Sequence, residues 1–110
     1  MPLNALSPET YKKPKSDQTY ESAADLFRVM SAPLRLKIIN CLCDGEKNVS
    51  YLLSQVNTTQ PNMSQHLSTL YQAGILAKRR EGVQIFYRIA DPRIVSICSS
   101  VCVEIERKNN

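Results

Sequence analysis

Apolar residues recur at helical spacing through most of the chain and switch to strict alternation in one short stretch; these two periods lay out the elements. Ala23, Ala24, Leu26, Phe27, Val29 and Met30 predict a first short helix that ends near Ser31-Ala32-Pro33, where the proline opens the next. Leu34, Leu36, Ile38, Ile39 and Leu42 line that second helix, and Asp44-Gly45 stops it. Val49, Leu52, Leu53 and Val56 predict a third helix, with Val56-Asn57-Thr58 turning into a fourth, so that the pair forms a helix-turn-helix. In the fourth, Thr58 and Thr59 offer oxygens to the unpaired first amides, Pro61 fits the first turn, and Ala73-Gly74 makes the left-handed stop. Residues 76 to 89 alternate in two runs around Glu81-Gly82, the pattern of a β-hairpin with Gly at its tip. Asp91-Pro92 starts a last helix in which Ile94, Cys98, Val101 and Ile105 form one apolar stripe. Met1 to about Thr19 carries Pro2, Pro8, Pro14 and scattered lysines with little apolar material, and is expected to be a flexible arm ahead of one domain over 20–108.

The fourth helix combines an apolar stripe, Met63, Leu67 and Leu70, with an outer side that is polar without being acidic. Thr59, Gln60, Asn62, Ser64, Gln65, His66 and Thr69 supply that side, and short amide, hydroxyl and imidazole groups suit base edges in a major groove. Taken alone, the segment is equally an ordinary amphipathic surface helix. The hairpin that follows changes the balance, because Lys78, Arg79 and Arg80 sit beside its tip, where they can neutralise phosphates next to a helix in the groove. Three cations that merely keep a strand edge soluble are the plainer alternative for a hairpin on its own. The net charge, +4 from 14 basic and 10 acidic side chains, permits a polyanionic partner.

The segment TTQPNMSQHLSTLYQAGILAKRREGVQIFYRIAD resembles the recognition helix and wing of the ArsR/SmtB family of bacterial winged-helix repressors. The similarity extends back through LFRVMSAPLRLKIINCLCDGEKNVSYLLSQV, so it spans about residues 20 to 107. Its most specific part is Ser-x-His-Leu-x-x-Leu-x-x-Ala-Gly, at Ser64 to Gly74, followed by the wing chemistry of Arg80 to Gly82. The resemblance implies a mainly α fold with a small β-hairpin wing, a homodimer built through the first and last helices, and repression by binding a double-stranded DNA operator. It also makes His66 a phosphate or base contact, since no second histidine and no acidic partner accompanies it. Neither Ser64 nor Ser68 has an evident orienting group, so no enzyme is expected, and no cofactor. A chain of 110 residues has a thin core, which suits sharing apolar surface with a second copy. The absence of an apolar run of roughly 18 residues, or of an apolar N-terminal block, makes a cytoplasmic, membrane-free protein the expectation.

Cys41, Cys43, Cys98 and Cys102 hold the remaining chemistry, with metal binding, redox sensing and simple burial as the alternatives. If both are helical, Cys41 and Cys43 point to nearly opposite sides, whereas Cys98 and Cys102 are neighbours one turn apart on the last helix. The family's zinc sensors carry acids and histidines on the last helix, where this chain has Asp91, Arg93 and Glu104 and no histidine. Its arsenic and cadmium sensors often place Cys-x-Cys after the Gly-Glu turn, where Asn48, Val49 and Ser50 stand. The arrangement most resembles the persulfide- and redox-responsive branch, which joins one cysteine late in the second helix to one in the last. That resemblance implies Cys41 paired with Cys102, with Cys43 and Cys98 as auxiliaries or core residues, and sulfane sulfur or an oxidant as inducer. The alternative inducer is arsenite or another thiophilic ion, held by Cys98 and Cys102.

Overall fold

The computed structural model describes residues 13–109. They form α1 (Asp17–Met30), α2 (Pro33–Cys41), β1 (Lys47–Asn48), α3 (Val49–Gln55), α4 (Gln60–Gln72), β2 (Leu76–Glu81), β3 (Gln84–Ile89) and α5 (Pro92–Asn109). The helix starts follow their caps. Ser16 Oγ accepts the Thr19 amide at 3.2 Å, Asn48 Oδ1 accepts that of Tyr51 at 2.8 Å, and Thr59 Oγ1 accepts that of Asn62 at 3.2 Å. Pro33 and Pro61 occupy first turns, where a missing N–H costs no helical bond. Because Ser16 caps α1, Asp17, Gln18 and Thr19 are helical, although the sequence pattern places them in the arm. The rest of that expected arm, residues 1–12, lies outside the described residues.

β2 and β3 form the expected hairpin, in register from Leu76 opposite Ile89 to Glu81 opposite Gln84. The two-residue loop between them begins with Gly82 at φ +63°, the positive value that a type II′ turn demands at its first central position. A third strand was not anticipated. Lys47 and Asn48 pair antiparallel with Tyr87 and Phe86, giving the order β1-β3-β2, and two residues are too few to show an alternation.

The core gathers one buried group from nearly every element. Ile38 and Ile39 of α2, Leu52 of α3, Met63, Leu67 and Leu70 of α4, and Ile94 of α5 are all fully enclosed, with Leu76 and Tyr87 bringing in the hairpin. The stripe on α5 divides: Ile94 and Cys98 are buried, while Val101 and Ile105 are each 54 % exposed. On α1, Tyr20 and Phe27 are exposed to the same degree, at 55 % and 56 %.

Two substitutions test this account. Leu67→Ala removes a fully buried side chain beneath the polar face of α4 and should lower unfolding free energy by about 2–5 kcal/mol in denaturant titrations. Gly74 has φ +78° and open space where a Cβ would go, so Gly74→Ala should cost roughly 1–2 kcal/mol from backbone strain alone. A neutral Gly74→Ala would mean that the helix stop tolerates another conformation.

Candidate nucleic-acid interface and thiol cluster

The start of α4 carries the exposed polar face. Gln60, Asn62, Ser64 and Gln65 all reach solvent, and the Asn62 side-chain amide donates to Thr58 Oγ1 at 2.8 Å, which fixes it over the helix start. Between α3, α4 and the hairpin tip runs a groove of about 350 Å³, lined on its polar side by Asn48, Ser50, Gln60, Ser64 and Gln84. Asn48 Nδ2 donates to Gln84 Oε1 at 2.8 Å, which ties the edge strand to the wing tip. Among the described residues no carboxylate lines this groove, so none of them repels a phosphate backbone there.

His66 and Thr69 do not share that open face. His66 stands three residues after Met63 and four before Leu70, so it borders the apolar stripe and is half-buried. Its Nδ1 accepts from Arg35 Nε at 3.0 Å, and Arg35 Nη1 donates to the Val29 carbonyl at 2.8 Å. Accepting at Nδ1 requires the neutral ring with its hydrogen on Nε2. Arg35 thereby fastens the end of α1 and the start of α2 to the middle of α4. Thr69 Oγ1 donates to the Gln65 carbonyl at 3.0 Å, one turn back in its own helix. Thr59 is exposed, and its hydroxyl serves as the helix cap. The sequence reading missed Arg35 because its partners lie 6 and 31 residues away.

The three wing cations separate by the two-residue period of a strand. Lys78 lies opposite Tyr87 and Arg80 opposite Ile85, which puts both on the side that meets α4, and the Lys78 ammonium sits 4.4 Å from the centre of the Tyr71 ring. Arg79 lies opposite Phe86 on the other side. Its guanidinium stands 4.6 Å over the Phe86 ring and binds the carboxylates of Glu46 and Glu81 at 2.7 and 2.8 Å. The hydrogen bonds from Arg79 hold the Glu46 carboxyl below its ordinary range, and the same pairing raises the Arg79 guanidinium. The charge of Arg79, expected to meet phosphate beside Lys78 and Arg80, is thus paired within the chain. Arg88, on the same face, adds to the positive field around Glu46.

Of the four thiols, Cys98 is buried, Cys41 half-buried, and Cys43 and Cys102 exposed. The sulfurs of Cys98 and Cys102 lie 3.7 Å apart, one turn of α5 from each other. Cys43 falls just past the end of α2, where its thiol donates to the Ile39 carbonyl at 3.3 Å and lies within electrostatic reach of Cys98 and Cys102. Cys41 instead feels Lys47 and Asp44. Of these two thiols, Cys43 is the one on which the α5 thiols act electrostatically. Helix α2 ends at Cys41, so the next residues turn and carry Cys43 toward α5. Burial, followed by the hydrogen bond shared with Cys102, pushes the Cys98 thiol up to about 11, and burial also raises Cys41 and Cys43. Among the described residues no three His, Cys, Asp or Glu side chains are gathered closely enough to hold a metal.

A helix-turn-helix with an acid-free polar face and a basic wing beside it defines a winged-helix DNA-binding regulator. The comparisons with known proteins agree. The model of the arsR family of bacterial regulatory proteins matches residues 32–78. An uncharacterised helix-turn-helix transcriptional regulator of Methanocaldococcus jannaschii is 36 % identical over 85 residues, covering 76 % of this chain and 96 % of that protein. The transcriptional repressor SmtB of Mycobacterium tuberculosis is 32 % identical over 88 residues, covering 80 % and 65 %. The crystal structure of the transcriptional repressor BigR from Xylella fastidiosa superposes with a TM-score of 0.74 at 29 % identity, covering 87 % of this chain and 93 % of that one. The chain belongs to the ArsR/SmtB family of transcriptional regulators. No helix among the described residues is long and apolar enough to cross a membrane.

The split among the cations has a measurable consequence. Arg80→Ala should lower the slope of log affinity against log salt by about 1, because one phosphate contact is lost, and should weaken operator and random DNA alike. An unchanged slope would remove Arg80 from the interface.

Proposed function

We propose that the chain acts in the cytoplasm as a homodimeric repressor that reads its operator through Gln60, Asn62, Ser64 and Gln65 and leaves it when the cluster of Cys43, Cys98 and Cys102 is modified. The observation that carries this reading is the 3.7 Å approach of Cys98 to Cys102 with Cys43 nearby, at the junction of α2 and α5. Helix α2 supports the helix-turn-helix through Arg35 and His66, so a bond formed at its end against α5 biases the placement of α4. The apolar residues left open on α1 and α5 support a second copy seated on them, and a dimer would present two α4 helices to successive turns of DNA. The relatives SmtB and BigR are named as repressors, which favours repression over activation.

Cys102 is the expected point of attack, being exposed, while the Cys98 thiol stays protonated at neutral pH. Its thiolate takes a sulfane sulfur from a low-molecular-weight persulfide, giving a protein persulfide and releasing the donor thiolate. A second protein thiolate then attacks Cys102 Sγ itself, so that the Sγ–SH bond breaks, a disulfide forms and hydrosulfide leaves. Cys43 or Cys98 is the proposed partner for that second step. The second reading, a soft metalloid held by thiolates, rests on the same Cys98–Cys102 proximity.

Mass spectrometry after polysulfide and, separately, after arsenite distinguishes the two: added sulfur or a cysteine link marks the first, a bound metalloid without covalent sulfur the second. Cys102→Ser should bind operator like the parent and fail to release it after polysulfide, whereas Cys41→Ser should still release it. A response that persists with all four cysteines replaced would exclude thiol sensing. For the DNA face, Gln65→Ala should cost about 1–3 kcal/mol of discrimination between operator and random DNA. Equal losses on both DNAs would show that Gln65 only positions the protein.

A further inference from the structure

Glu46 lies in the turn between α2 and β1, and Arg79 meets it 33 residues later on the face of the hairpin turned away from α4. Arg79 Nη2 reaches Glu46 Oε1 at 2.7 Å and Arg79 Nε reaches Glu46 Oε2 at 2.9 Å, a fork-on-fork pairing that fixes direction as well as distance. Arg79 Nη1 donates to Glu81 Oε2 at 2.8 Å, and the plane of the guanidinium covers Phe86. The edges and one face of the group are therefore engaged inside the chain. The Glu46 side chain is 28 % exposed, sheltered more than a surface ion pair usually is.

The connection that this pair reinforces is thin. The hairpin joins the helix-turn-helix on this side through β1 alone, and β1 contributes only Lys47 and Asn48 to the ladder. Leu76 and Tyr87 anchor the base of the hairpin in the core, so it is the part toward the tip that can pivot, and such a pivot moves the wing cations relative to α4. Glu46 immediately precedes β1, so a rigid link from its carboxylate to the middle of β2 braces the sheet across its width.

We infer that Glu46 is a positioning residue for DNA binding, which clamps the wing through Arg79 so that Lys78 and Arg80 are presented in one frame with α4. Arg79 is then a structural cation and not a phosphate ligand. The opposite assignment predicts opposite behaviour: with Arg79 on phosphate, Glu46 would compete with DNA for it, and removing the carboxylate would tighten binding to any sequence.

The experiment is fluorescence anisotropy of the full chain with operator and random duplexes across a salt series, using Glu46→Gln, Arg79→Gln, Arg79→Lys and the Glu46→Gln/Arg79→Gln double variant. Each single variant should weaken operator binding roughly fivefold to tenfold, and the double variant should be little worse than either, as for partners in one interaction. The salt slope should stay at the parent value even for Arg79→Gln, which loses a charge. Arg79→Lys should behave like Arg79→Gln, because an ammonium keeps the charge without the fork. Amide hydrogen exchange of β2 and β3 should quicken in all of them. The proposal is overturned if Glu46→Gln tightens binding, if Arg79→Gln lowers the salt slope by about 1 while Arg79→Lys binds like the parent, or if no variant changes operator affinity.

Discussion

Met63, Leu67 and Leu70 have to be buried before the other side of α4 can be used for anything. A recognition surface must stand free of the protein, so whatever orients it has to act from behind, and dispersion contacts from a fully enclosed stripe do that without engaging the polar groups in front. The capping bond from Thr59 and the positive φ of Gly74 set where this helix begins and ends. Arg35 sets its rotation, because its bond to His66 comes from α2 while its second bond holds the end of α1. Three helices are thereby tied to one guanidinium, and the family's histidine acts here from the flank of the helix.

The wing obeys a different constraint. Alternation in a strand sends adjacent cations to opposite faces, so Lys78 and Arg80 join the α4 side while Arg79 turns to Glu46 and Phe86. A run of three basic residues is consequently divided between two faces of the hairpin. The surface that results is graded, with amides and hydroxyls at the helix start and cations farther along the hairpin.

The thiols occupy the other end of the same framework. Cys98 belongs to the core by burial, its sulfur lies 3.7 Å from that of Cys102, and burial raises its thiol. Cys43 and Glu46 share the short turn after α2, so the segment that faces α5 with a thiol faces the wing with a carboxylate. The turn thus lies between α5 and the hairpin.

The elements themselves were legible in the chain because their causes are local. Helical spacing in Leu34 to Leu42 and Met63 to Leu70, prolines at first turns, Gly74 and Gly82 at positive φ, and two alternating runs each act within a few residues. The family followed from the recognition-helix and wing segments for the same reason. What tertiary structure alone decided were the pairings made across long stretches of sequence. Arg79 finds Glu46 from 33 residues away, His66 finds Arg35 from 31, and β1 exists only because β3 is there to pair with it. Where α2 ends, at Cys41, is likewise a matter of one residue that periodicity cannot resolve. Local patterns specify which face of an element is apolar; which polar group meets which across the molecule depends on how those faces pack, and packing is settled only when all of them are buried together.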